Sequence, residues 1–187
     1  MTANVIEAGG YTLRVRCVAG IESCCYVDSI DVAFDLGFII DRVPFDEIQI
    51  SPKWLVRAVP TTHRVPSLGY VLYERKNRLK PEYKLLAGKD IAALKRAGYE
   101  ITGVELTPEI AYTGDTMIEA FTEAEERAKD LLRVKVLITE IAAHENLFRH
   151  VGTLVLVHFS ARYSPEYLSE SVRSRFPPSL LNKTVLG

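Results

Sequence analysis

Three places in the chain put a residue able to hold a metal ion or move a proton directly after a short apolar or β-forming run. The run from Leu55 to Thr62 ends at His63, Ile110 to Gly114 ends at Asp115, and Thr153 to Val157 ends at His158. Imidazole nitrogens and carboxylate oxygens serve as ligands for a zinc-type ion, and they also carry most general acid and base chemistry. A residue just past the end of a buried strand faces a sheet rim, where ligand and active sites collect. Each position also has a plainer reading. A histidine at a strand end can be a turn or hydrogen-bonding residue, and Gly114-Asp115-Thr116 is a common turn triplet because Asp and Gly supply turn geometry.

The elements that must position these residues alternate between strand and helix patterns. Tyr11 to Val18 alternates apolar and polar residues, and Cys24 to Val27 and Ile30 to Phe34 are short and rich in β-formers. Further strands are expected at Leu55 to His63 and Gly69 to Glu74. A helix is expected from Lys89 to Ala97, stopped by Gly98, with Ile91 and Leu94 at helical spacing. The second half reads as strand Ile110 to Thr113, helix Glu119 to Leu132, strand Val134 to Thr139, helix Ala142 to Arg149 and strand Leu154 to Phe159. Ala120, Phe121, Ala124, Ala128 and Leu131 share one face of the long helix. Strands alternating with helices imply a layered α/β domain, without repeats or an evident linker.

Taken with Gly69-Tyr70 and the hexapeptide His158-Phe159-Ser160-Ala161-Arg162-Tyr163, the three strand ends carry a family resemblance. The chain resembles the short form of tRNase Z, the zinc-dependent tRNA 3′-processing endonuclease of the metallo-β-lactamase superfamily. That resemblance implies a single α/β domain over residues 1–187, a truncated metallo-β-lactamase-like αββα sandwich. The family holds two zinc ions; His63 would sit on one, His158 on the other, and Asp115 would bridge them. It implies hydrolysis of one phosphodiester in precursor tRNA, with a homodimer or a full-length family subunit as a protein partner. Arg162 would meet a substrate phosphate bidentately. Lys80 and Lys84, in a basic stretch with Lys76, Arg78 and Lys89, would face the tRNA, although such a stretch is also an ordinary solvated face. His144, inside an expected helix, reads as structural, and His150 as solvated at that helix's end.

The family's His-x-His-x-Asp-His motif has no counterpart in this chain. The strand matched to the one before it reads Glu47-Ile48-Gln49-Ile50-Ser51, and Pro52 follows. A second discontinuity is expected after Glu140, which runs straight into Ile141-Ala142-Ala143-His144. The resemblance therefore implies internal deletions after Ser51 and after Glu140, as in a spliced product or a degenerate paralogue. With two protein ligands per ion, one of them shared, zinc is expected to be weak or absent and catalysis impaired, since zinc hydrolases use about three protein ligands per ion. Two rival readings are a non-catalytic interaction protein built on the same fold and a hydrolase of different chemistry.

Bulk properties add exclusions. With 187 residues and a net charge of −1, the chain has no global positive field to attract nucleic acid, so RNA contact would need a local basic patch. The three cysteines, Cys17, Cys24 and Cys25, have no zinc-type spacing and suit a reducing compartment. The first ten residues lack a basic region followed by a long apolar core, and no apolar run approaches a bilayer span. A cytoplasmic or nuclear protein is expected. Removal of segments from a sandwich also predicts apolar faces left without cover.

Overall fold

The computed structural model describes residues 4–18, 22–34, 44–64, 67–123, 126–140, 146–157, 159 and 163–187. The first strands, β1 (Asn4–Ala8), β2 (Tyr11–Val18), β3 (Glu22–Val27) and β4 (Val32–Phe34), form a four-stranded antiparallel sheet in chain order. β1 carries no strand signal strong enough to be expected from sequence. It pairs with β2 through Gly9 and Gly10, whose φ values of 57° and 84° suit a tight hairpin turn that glycine enters freely. Ile6, Leu13, Val15, Cys25 and Val27 point inward and are buried.

The outward residues of this sheet are largely polar. Thr12 donates to Glu7 at 2.7 Å, Arg14 grips Asp28 through Nε and Nη2 at 2.8 Å each, and Tyr26 donates to Asp31 at 2.6 Å. The expected uncovered apolar face is thus not found there: of the large apolar side chains on this sheet, Val5 alone is exposed among the described residues.

The second sheet has seven strands: β5 (Glu47–Gln49), β6 (Trp54–Thr61), β7 (Ser67–Leu79), β8 (Thr102–Tyr112), β9 (Val136–Thr139), β10 (Thr153–Leu156) and β11 (Thr184–Leu186). β5 to β8 pair antiparallel, and β8 to β11 pair parallel. Ile110, Val136, Ile138 and Val155 face the smaller sheet and close one core with its inward residues. On the other face Val71, Ala111, Leu137 and Leu154 meet Phe121, Leu131, Phe148 and Leu180 in a second core. Among the described residues the layers are therefore sheet, sheet, helix.

Among the described residues the α-helices are α1 (Gly88–Arg96), α2 (Glu119–Thr122), α3 (Pro165–Arg175) and α4 (Pro178–Leu181). The long helix expected from Glu119 to Leu132 is replaced by α2 and a 3-10 segment, Glu126–Leu132; Ala124 lies outside the described residues. The break lets Phe121 meet Phe148 edge-on at 5.4 Å while Asp130 accepts a hydrogen bond from the Tyr73 hydroxyl at 2.8 Å. Tertiary contacts override helix propensity here. Of the helix expected from Ala142 to Arg149, residues 141–145, His144 included, lie outside the described residues, and Leu147–His150 is a 3-10 turn.

Residues Ser51 and Pro52, where the first deletion is expected, lie in the turn of the β5–β6 hairpin. The Trp54 N–H donates to the Ser51 carbonyl at 3.3 Å and to the Ser51 hydroxyl at 3.1 Å, which closes the turn locally. At the edge of the sheet Arg57 reaches back to Glu47 through Nη2 at 2.7 Å, and Nη1 meets the Tyr73 hydroxyl at 2.9 Å.

A bulge in β8 opposite Leu72 and Tyr73 leaves Glu109 without a partner on β7 and turns its side chain into the sandwich. There it is fully buried, accepts from the Tyr11 hydroxyl at 2.8 Å and pairs with Lys135 at 2.5 Å. Burial, and then the bond to Glu109, push the Tyr11 phenol well above its usual range. Tyr73 is raised likewise, by burial first and then by Asp130.

Candidate functional site

Strand direction decides which residues meet. β6 and β8 are both antiparallel to β7, and β8, β9 and β10 are parallel, so all four end at one rim of the larger sheet. His63 follows β6, Asp115 follows β8 and Glu140 follows β9 at that rim. His158 and Arg162, the other site residues expected from sequence, lie outside the described residues. Phe34, at the end of β4, stacks on Tyr112 at 5.8 Å, so the smaller sheet also reaches this end of β8.

The rim is held together by short polar links. The Met117 N–H donates to the Thr62 carbonyl at 2.7 Å, and the Thr116 hydroxyl donates to the same oxygen at 3.3 Å. Thr62 adjoins His63 and Thr116 adjoins Asp115, so these bonds join the two candidate loops directly. Glu140 accepts from the Thr116 N–H at 2.7 Å, which fixes the Asp115 loop against the end of β9. The Thr113 hydroxyl meets that of Thr139 at 3.0 Å, and the Val157 N–H donates to the Thr139 carbonyl at 3.1 Å. Buried Thr61 Oγ1, one strand residue earlier, has no hydrogen-bond partner among the described residues.

Gly69 permits the close approach. A side chain there would come within 2.9 Å of the Tyr112 carbonyl, 3.0 Å of Thr61 Cγ2 and 3.1 Å of Thr113 Cα. The glycine is thus the space through which β7 passes between the ends of β6 and β8. Gly69-Tyr70 stands out in the sequence by family resemblance alone, and nothing in the sequence gives Thr113, Thr116, Thr139 or Glu140 a role. Their common signal is a threonine or acid at or just past the ends of β6, β8 and β9.

Lys80 and Lys84 are not brought to this rim. β7 starts there and runs 13 residues away, and beyond Glu74 it pairs with β8 alone. Ten residues of strand separate Tyr70 from Lys80, roughly 30 Å at about 3.3 Å per residue. The two strands form an arm carrying α1 and the turn Pro81–Tyr83. Along it Lys76 pairs with Glu74, Arg78 with Glu105 and Lys80 with Glu100, while Lys84 is exposed.

Metal fit can be tested on the donors present. His63 is half-buried and Asp115 exposed, but no group of three or more His, Cys, Asp or Glu able to hold a metal occurs among the described residues. A catalytic zinc takes about three protein ligands and keeps one position open. The described donor set does not fit such a centre. No helix among the described residues is long and apolar enough to cross a membrane.

Sheet facing sheet, with helices on the outer face and candidate residues at the strand ends, makes this a metallo-β-lactamase-like α/β fold. No family model matches the chain. A chloroplastic tRNase Z of Arabidopsis thaliana is 38% identical over 140 residues, covering 63% of this chain and 39% of that protein. A second Arabidopsis thaliana tRNase Z is 35% identical over 156 residues, covering 71% and 55%. Ribonuclease Z of Methanosarcina mazei is 32% identical over 171 residues, covering 70% and 56%. The chain is a homologue of the tRNase Z proteins, and it spans between about two fifths and a little over half of these curated relatives.

Proposed function

We propose that this chain derives from a tRNase Z of tRNA 3′-end processing and that, by itself, it is catalytically impaired. The observation that carries the reading is the pair of bonds from Thr116 and Met117 to Thr62, which hold the His63 and Asp115 loops together at one rim. The family reaction is endonucleolytic removal of the 3′ trailer from precursor tRNA, for which bound zinc supplies an activated water and charge neutralisation. His63, Asp115 and His158 are remnant ligands in this proposal, too few for tight binding. Full zinc sites in small folds are worth about 10–16 kcal/mol, and an incomplete shell forfeits most of that.

Arg162, Lys80 and Lys84 are the proposed phosphate contacts. The arm's distance from the rim suits a substrate as long as tRNA, since positioning contacts need not lie at the cleaved bond. The same proposal places internal deletions after Ser51 and after Glu140. A cytoplasmic or nuclear setting, and pairing with a full-length family subunit, belong to the same proposal.

Elemental analysis and cleavage of precursor tRNA test it together. The expected result is less than one tightly held zinc per chain and no measurable cleavage. Two tightly held ions, with cleavage abolished by Asp115→Ala, would overturn the impaired reading.

A further inference from the structure

α3 connects the parallel neighbours β10 and β11, so the chain must return along the sheet between them, and the start of α3 follows the rim end of β10 in that path. The two tyrosines at its start are stacked on each other, with ring centroids 5.1 Å apart and planes 15° from parallel. Tyr163 is 51% exposed and Tyr167 52% exposed, whereas the apolar residues later in the helix, Val172 and Phe176, pack on the core. Neither ring is needed to fill that core.

The helix start does not offer a phosphate site. The Ser164 hydroxyl already accepts from the Tyr167 N–H at 3.2 Å, and Glu166 places a carboxylate in the first turn. Its own backbone N–H, and then Ser164, hold that carboxyl below its usual range, so it is charged at neutral pH. An anion would be repelled, while a neutral planar ring would not. Two stacked phenols extend a ready π-surface with polar edges, the chemistry on which nucleobases stack irrespective of sequence.

We propose that Tyr163 and Tyr167 form a stacking platform for an unpaired nucleobase of an RNA strand reaching the rim of His63 and Asp115. This rests on the RNA-processing reading above and adds a base subsite to it. The competing role is structural: Tyr163 precedes the N-cap, where an aromatic residue can fix the angle at which the chain enters a helix.

The test uses the full chain, a fluorescently labelled 12-nucleotide single-stranded RNA and the same sequence as a duplex, titrated at several salt concentrations. Tyr163→Leu and Tyr167→Leu keep apolar bulk without a π-face, and each is expected to weaken single-strand binding by roughly 5- to 100-fold. Tyr163→Phe and Tyr167→Phe should bind like the parent. The salt slope should be the same in all variants, because stacking releases no counterions. Thermal unfolding of the Leu variants is expected to match the parent. If Leu binds as well as Tyr while RNA is still held, the platform is wrong and the RNA reading stands. If the Leu variants lose binding only in step with lost stability, the pair is structural and the platform is again overturned. Absence of any RNA binding at low salt would overturn both.

Discussion

Along β9 of the larger sheet every residue is buried, whereas β1 of the smaller sheet alternates, with only Ile6 and Ala8 buried. The difference follows from cover. The larger sheet lies between the smaller sheet and the helices, so its central parallel strands must be apolar on both faces. The smaller sheet has one covered face, and its other face carries Glu7, Arg14 and Tyr26 in polar contacts. The face without helices among the described residues is thus chemically suited to water. The rim with the candidate loops belongs to the sheet whose centre is covered on both faces, where the strand ends are fixed by their neighbours.

Truncation of the two cores should have the largest effect. Phe148→Ala removes a fully buried ring from the helix-covered face, with an expected loss of about 3–5 kcal/mol, and Leu13→Ala, in the smaller sheet, about 2–5 kcal/mol. Urea unfolding should show one transition, shifted by both changes. If Leu13→Ala leaves the main transition in place, the smaller sheet is not part of the same cooperative unit, and the comparison must be redrawn as two units.

A narrower change tests the rim. Gly69→Ala pushes a methyl group against the backbone of Tyr112 and Thr113, where relief requires a strand end to move, and about 1–3 kcal/mol of destabilisation is expected. A variant as stable as the parent would mean that β7 shifts easily, and that the His63 and Asp115 loops are less firmly placed than their hydrogen bonds imply.

The smallest effects should separate the two tyrosines that tie the layers. Tyr11 joins the sheets through Glu109, and Tyr73 joins the larger sheet to the 3-10 segment through Asp130. Each folded-state pKa is raised, so their contribution is fully present below the unfolded tyrosine value near 10 and is lost as pH rises above it. Stability measured from pH 8 to 11 should fall on the alkaline side. Tyr11→Phe and Tyr73→Phe should each cost about 1 kcal/mol at neutral pH and flatten part of that fall. An unchanged alkaline slope in both variants would show that other groups govern it.

Local pattern alone determined much of this protein. Alternation in Tyr11 to Val18, the continuous apolar runs of β9 and β10, and Gly98 after α1 each express a preference that neighbouring residues enforce. The candidate residues His63 and Asp115 were legible for the same reason, since each stands just past such a run. Tertiary structure decided what depends on partners distant in sequence. β1 reads weakly by itself and becomes a strand by pairing with β2. One expected helix breaks in two because Phe121 and Asp130 have different partners, Phe148 and Tyr73. Glu109, unremarked in the sequence, is buried because a bulge turns it toward Tyr11 and Lys135. Only strand direction brings the Asp115 and His63 loops together at Thr62 and carries Lys80 and Lys84 away on the arm, because one sequence pattern fits a strand running either way.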